Sequence, residues 1–182
     1  MTSRHRAAFA AGLLLLVACD PEPPVPPEPP ACAIPAGNAV ETPLLPGCAD
    51  ALPAMDPDAF ERLLAELEGT PVLVNFWGSW CPPCKDEMPR LVEAHDEFGD
   101  RVQFLGVDII DNREAARLFM EEFEMTFPSV FDPPDAIKTS LGQFGQPTTV
   151  FFRADGSFEF AYAGPISEST LRRHLEAIAE SA

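Results

Sequence analysis

Apolar positions from about Leu52 onward switch between two spacings. Phe60, Leu63, Leu64 and Leu67 recur every three or four residues, which predicts a helix. Asp56 or Asp58 can cap it, Pro57 fits its first turn, and Gly69 ends it. The run Pro71 to Trp77 is almost unbroken in its hydrophobicity and predicts a buried strand. Helical spacing returns through Met88, Leu91, Val92, His95 and Phe98, and a second strand is expected from Arg101 to Ile109. Asn112 can cap a further helix carrying Ala115, Ala116, Phe119, Met120 and Phe123. A short extended piece, Pro128 to Phe131, and a loose helix from about Pro134 to Leu141 follow. Thr148 to Arg153 and Phe158 to Ala163 read as strands joined by the turn Ala154-Asp155-Gly156. Ser167 caps a final helix with Leu171, Leu175 and Ile178 on one face. From the first strand on, and leaving aside the short extended piece and the loose helix, the order is β-α-β-α-β-β-α. It predicts an α/β fold, a central mixed sheet flanked by helices. Many of the 14 phenylalanines fall on these periods and belong to a core rather than to an aromatic ligand site.

The first 51 residues obey neither period. Residues 1–18 begin with Arg4, His5 and Arg6 and continue with apolar Ala7 to Ala18, too short to span a bilayer, which needs about 20 residues. They read as a signal peptide. Leu16-Val17-Ala18-Cys19 resembles the bacterial lipobox. That resemblance implies cleavage after Ala18, acylation of Cys19 and a domain held outside the cytoplasm. Residues 19–51 then form a tether. Eleven prolines lie between Asp20 and Pro53, which rules out helix and central strand. In polyproline form, residues 20–31 would reach on the order of 35–40 Å, a stalk lifting residues 52–182 off the membrane. Asp20 resembles an inner-membrane retention signal, relevant where an outer membrane exists.

The formal charge is −17, and residues 1–18 contain two arginines but no acid, so the mature chain is more acidic still. This argues against nucleic acid as a partner, since lysine and arginine supply that affinity. It equally argues against electrostatic adhesion to anionic lipid. Of five cysteines, Cys19 is assigned to lipid, and Cys32 and Cys48 flank the Pro-rich segment. In an oxidising compartment these two are expected to form a structural disulfide, worth about 3 kcal/mol if it restrains folded chain. Two free thiols or bridges to another protein are the alternatives.

Cys81 and Cys84 carry the chemistry. The motif Trp80-Cys81-Pro82-Pro83-Cys84-Lys85 stands where a strand enters a helix. There the free N–H groups and dipole of the helix favour a Cys81 thiolate, and Pro82 and Pro83 lose no hydrogen bond. Cys84, one turn inward, is expected to be the less exposed of the two. Cys81 attacks a substrate disulfide and Cys84 resolves the mixed disulfide. Half a zinc site is the competing reading of Cys-x-x-Cys, but His95 and His174 stand at no ligand spacing, so no metal is expected.

The segment Asn75 to Pro89 resembles the active-site segment of the thioredoxin superfamily, and more narrowly the membrane-tethered TlpA/ResA-like branch. That branch's W-C-x-P-C-x-x-E-x-P is filled at every fixed position. The resemblance covers Leu52 to Ala182. It implies a thioredoxin-like fold with an extra helix, Asn112 to Phe123, inserted after the second core strand. It also implies a cis-proline loop at Gly145-Gln146-Pro147-Thr148 and no cofactor beyond the disulfide. Glu87 is the branch's acid, expected to be partly buried and to tune the cysteines. Asn75 replaces the buried aspartate of thioredoxins proper, which points to a proton-handling duty moved to Glu87. Pro89 resembles the kink proline of the active-site helix. Trp80, Pro82, Pro83, Gln146 and Pro147 are expected to border the substrate, with Trp77 and Trp80 shielding the disulfide and offering apolar contact. The resemblance implies an extracytoplasmic reductase of protein disulfides on the cell membrane (periplasmic side if there are two membranes). Cytochrome c maturation is the leading case, and a membrane thiol carrier of the CcdA/DsbD kind would be the electron donor. A disulfide-forming oxidase and a non-catalytic lipoprotein module are the rivals. A peroxidase is disfavoured because Gly78 stands where its P-x-x-x-T-x-x-C pattern needs threonine.

Alkylation of the native, unreduced protein followed by intact-mass measurement is expected to leave Cys32 and Cys48 unlabelled. Labelling of both refutes the bridge.

Overall fold

A computed structural model describes residues 52–180. The signal segment, Cys19, the Pro-rich tether and the expected Cys32–Cys48 bridge lie outside the described residues. Helix α1 (Pro57–Glu66) starts at Asp56, whose carboxylate accepts the Ala59 N–H at 2.8 Å. Gly69 turns the chain with φ +98° into β1 (Val72–Trp77). All six β1 residues are buried, because β1 lies at the centre of a five-stranded sheet with helices on both faces. That position explains its almost unbroken apolar run.

The other elements are α2 (Pro82–Phe98), β2 (Gln103–Ile109), α3 (Arg113–Glu122), β3 (Ser129–Asp132), α4 (Ala136–Ser140), β4 (Thr148–Phe152), β5 (Phe158–Ala163) and α5 (Glu168–Ala179). The strand order is β3-β2-β1-β4-β5. β1, β2 and β3 run parallel, while β4 runs antiparallel to both β1 and β5. This is the expected mixed sheet.

Side-chain alternation along β1 separates two cores. Leu73 and Trp77 join Met88 and Leu91 of α2, Phe119 of α3, and Leu171, Leu175 and Ile178 of α5. Val72, Val74 and Phe76 join Phe60 and Leu63 of α1 and Ile137 of α4. Asn75 shares the parity of Leu73 and Trp77, so its polar side chain points toward α2. The inserted helix α3, capped by Asn112, sends Phe119 over Trp77, with ring centroids 4.7 Å apart.

Several boundaries move by a residue or two from the sequence expectation, and two of the shifts have a clear cause. The second strand begins at Gln103, not Arg101, because Arg101 and Val102 both donate their N–H to Phe98 O and close the end of α2. The loose helix after Pro134 contracts to α4, whose first free N–H groups, Ala136 and Ile137, bond the Asp132 carboxylate at 3.1 and 2.7 Å.

Phe119→Ala is expected to cost about 3–5 kcal/mol, the usual range for emptying a buried aromatic site. Urea unfolding followed by Trp fluorescence measures it. A loss below about 1 kcal/mol would mean that α3 is not part of the core.

Candidate active site

The strand-to-helix turn is tied down before the cysteines begin. Ser79 N–H donates to Asp111 Oδ2 at 2.6 Å, and Trp80 Nε1 donates to Ile109 O at 3.3 Å. The Trp80 indole lies across Gly78: a Cβ there would sit 2.6 Å from Nε1 and 3.2 Å from Ile109 O. The anchoring loop passes through Ile110, an exposed β-branched residue at φ +52°. Such a conformation is rarely adopted by branched side chains and tends to occur at functional loops.

Cys81 is the N-cap of α2, extended at φ −95°, with Pro82 and Pro83 in the first turn. Its sulfur accepts the Cys84 N–H at 3.3 Å and is bonded to Cys84 Sγ, with Cα atoms 5.3 Å apart. The expected difference in exposure is absent from this disulfide form: Cys81 is 1% exposed and Cys84 0%. Both belong to the apolar cluster of Trp77 and Met88, which encloses Cys81 as fully as its partner.

The two tryptophans separate in role. Trp77 is fully buried against Phe119 and offers nothing to a substrate, contrary to the sequence reading. Trp80 is 50% exposed, its indole drawn toward Ile109 O. Pro82 is exposed and Pro83 half-buried. The Gln146–Pro147 peptide is cis, and Pro147 is buried with its carbonyl accepting Gly164 N–H at 2.8 Å. The half-buried Gln146 donates through Nε2 to Phe76 O (3.3 Å) and to Cys84 Sγ (3.5 Å). Beside it in the same loop Phe144 is 77% exposed, an apolar group the sequence reading passed over.

Glu87 is 0% exposed, one helical turn beyond Cys84. Its Oε1 accepts Asn75 Nδ2 at 2.9 Å and its Oε2 accepts Ile166 N–H at 2.9 Å. Asn75 Nδ2 also donates to Thr149 Oγ1 at 3.1 Å, its direct cross-strand neighbour on β4. Burial pushes the Glu87 carboxyl up to about 7, outweighing the downward pull of the Ile166 N–H, the Asn75 amide and the Arg90 guanidinium. A second buried acid, Asp108 on β2, was hidden from sequence reasoning inside an apolar run. Burial and the adjacent Asp111 carboxylate push it up to about 9. Among the described residues no cluster of three His, Cys, Asp or Glu side chains could hold a metal ion. No described helix is long and apolar enough to cross a membrane.

A five-stranded mixed sheet with a Cys-Pro-Pro-Cys disulfide at a helix N-terminus defines a thioredoxin-like thiol–disulfide oxidoreductase. The chain belongs to the AhpC/TSA family, whose profile matches residues 48–161, and within it to the ResA-like thiol–disulfide oxidoreductases. It is 32% identical to thiol–disulfide oxidoreductase ResA of Geobacillus thermodenitrificans over 124 residues, covering 68% of this chain and 71% of that relative. ResA of Geobacillus kaustophilus is likewise 32% identical, over 65% of this chain and 68% of the relative. Among solved structures, a secreted Mycobacterium tuberculosis disulfide oxidoreductase described as homologous to E. coli DsbE superposes with a TM-score of 0.58. It is 28% identical, over 62% of this chain and 85% of that one.

The folded Glu87 value exceeds the unfolded one, so its proton favours the native state. That contribution is complete below about pH 4.5 and is lost as pH rises through about 7. Between about pH 4 and about pH 8 the oxidised wild type is expected to lose roughly 3 kcal/mol more stability than Glu87→Gln in urea melts. Parallel pH curves would contradict a buried neutral acid.

Proposed function

We propose that this oxidoreductase reduces protein disulfides outside the cytoplasm. Cys81 thiolate attacks a substrate S–S bond, forming a mixed disulfide and expelling one substrate thiolate. Cys84 then attacks Cys81 Sγ, the Cys81–Cys84 bond forms, and the second substrate thiolate leaves. Two electrons pass from the dithiol to the substrate, and two protons end on its sulfurs.

The observation that carries the direction is Glu87. It lies fully buried on the Cys84 face of α2, with a carboxyl poised near neutrality. In its neutral form it can return a proton, and in its charged form it disfavours a neighbouring thiolate. Disfavouring the reduced, ionised form lowers the reduction potential, the opposite of what makes a strong oxidant. Trp80, Phe144 and Pro82 are exposed apolar groups near in sequence to the cysteines or to Pro147, and we assign them to contact with an extended peptide.

The remaining parts of the reading come from the N-terminal sequence and the relatives. Cys19 carries the lipid, residues 19–51 form the stalk, and the Cys32–Cys48 bridge braces it. A membrane thiol carrier of the CcdA/DsbD kind restores the dithiol. Cytochrome c precursors, whose haem-attachment Cys-x-x-Cys-His must be reduced before ligation, fit as substrates. The M. tuberculosis relative is described as secreted, which supports the placement outside the cytoplasm.

Cys84→Ser is expected to accumulate mixed disulfides through Cys81, and Cys81→Ser is not. In a glutathione redox titration the wild-type potential is expected well below the poise of the compartment. A value near that of strong oxidants would favour disulfide formation instead, and a Cys84→Ser protein that traps nothing would leave a binding module.

A further inference from the structure

Behind Gln146 lies a cation that no part of the exchange mechanism uses. Lys138 of α4 is only 6% exposed. Its Nζ donates to Gly145 O at 3.0 Å and to Gln146 Oε1 at 3.4 Å, and it pairs with Asp135 Oδ2 at 3.0 Å. The Gln146 amide is thereby fixed in orientation. Its oxygen faces an ammonium, while its nitrogen faces the Phe76 carbonyl and the Cys84 sulfur. The flipped amide would set oxygen against oxygen at Phe76 and NH2 against NH3+ at Lys138.

We propose that Lys138 is a positioning residue for thiol–disulfide exchange, acting on Cys84 through the Gln146 amide. The ammonium draws electron density toward Oε1, which makes Nε2–H a stronger donor to Cys84 Sγ. In the disulfide this bond is weak. When Cys84 becomes a thiolate, the sulfur carries full charge and the bond becomes charge-assisted. The chain therefore stabilises Cys84 as the resolving nucleophile. In that step the Cys84 electron pair forms the bond to Cys81 Sγ, the Cys81–substrate bond breaks, and its electron pair leaves on the substrate sulfur. Two controls then act on Cys84 with opposite sign. Glu87 on α2 disfavours its thiolate, and the Lys138–Gln146 pair favours it, with Asp135 the acid beside the ammonium. The inference rests on exchange at Cys81–Cys84 and not on its direction.

Removing the cation destabilises the reduced form. Lys138→Met is expected to shift the equilibrium with glutathione about tenfold toward the Cys81–Cys84 disulfide, a potential about 30 mV more reducing. In a Cys81→Ser background, thiolate ultraviolet absorbance should show Cys84 titrating about one pH unit higher, the same tenfold factor. Gln146→Leu should give the same two shifts, and Lys138→Met added to it should give no further change. Lys138→Arg should retain most of the wild-type behaviour. If Lys138→Met does not fold, Lys138→Gln, which keeps a donor for Gly145 O, is expected to show the same shifts. Unmoved potential and titration in a folded Lys138 variant overturn the inference. So does an equal second shift when Lys138→Met is added to Gln146→Leu, because the cation would then act without the amide. The absolute wild-type potential bears on the direction of exchange; only the differences between variants bear on Lys138.

Discussion

The burial of one carboxyl group organises the reactive end of this molecule. Glu87 belongs to α2, but its oxygens are held by Asn75 of β1 and by the Ile166 N–H just before α5. Two consecutive elements, β1 and α2, and a segment 79 residues further on therefore meet at a single acid. Desolvation raises its pKa because burial outweighs the two donors and the nearby Arg90. Without the donors the acid would be an unpaired polar group in an apolar core. Without the burial it would be an ordinary surface glutamate.

The cysteines depend on this frame from the other end of the same helical turn. Cys81 is placed by its cap geometry, and Cys84 by the first turn that the two prolines begin. The cis-proline loop reaches the pair through Gln146, and the loop after β2 braces the preceding turn through Asp111 and Ile109. Each support comes from a different strand end, as expected where a βα turn carries function on a rigid sheet. Thioredoxin-like exchange needs this rigidity, because attack on a disulfide depends on the alignment of three sulfurs.

Most of the fold was legible in the sequence because its elements are strongly periodic. The helix faces at Phe60, Phe119 and Leu175 and the buried run at β1 left little choice. The cysteines, Glu87 and Pro147 were legible from one contiguous motif and one short loop. What escaped had tertiary causes. Lys138 sits in the loose helix expected from about Pro134 to Leu141, where no motif singles it out, yet the fold of α4 brings it against the cis-proline loop. Asp108 is an acid within an apolar strand, and only the sheet's burial reveals its state. The exposure of Cys81 was misjudged because cap position says nothing about what packs over the cap. Trp77, expected with Trp80 to shield the disulfide and offer apolar contact, is closed off from any substrate by Phe119, which lies some forty residues later in the chain.

Gly78 carries a consequence for the evolution of chemistry on this scaffold. The peroxidase pattern P-x-x-x-T-x-x-C needs a hydroxyl-bearing residue three positions before the reactive cysteine, where this chain has Gly78. Here that position is roofed by the Trp80 indole, itself moored to Ile109 O. A threonine would have to evict the ring and sever its mooring before its hydroxyl could approach an oxygen substrate. Passage from thiol exchange to peroxide reduction thus asks for a displaced Trp80 ring as well as a new hydroxyl at position 78.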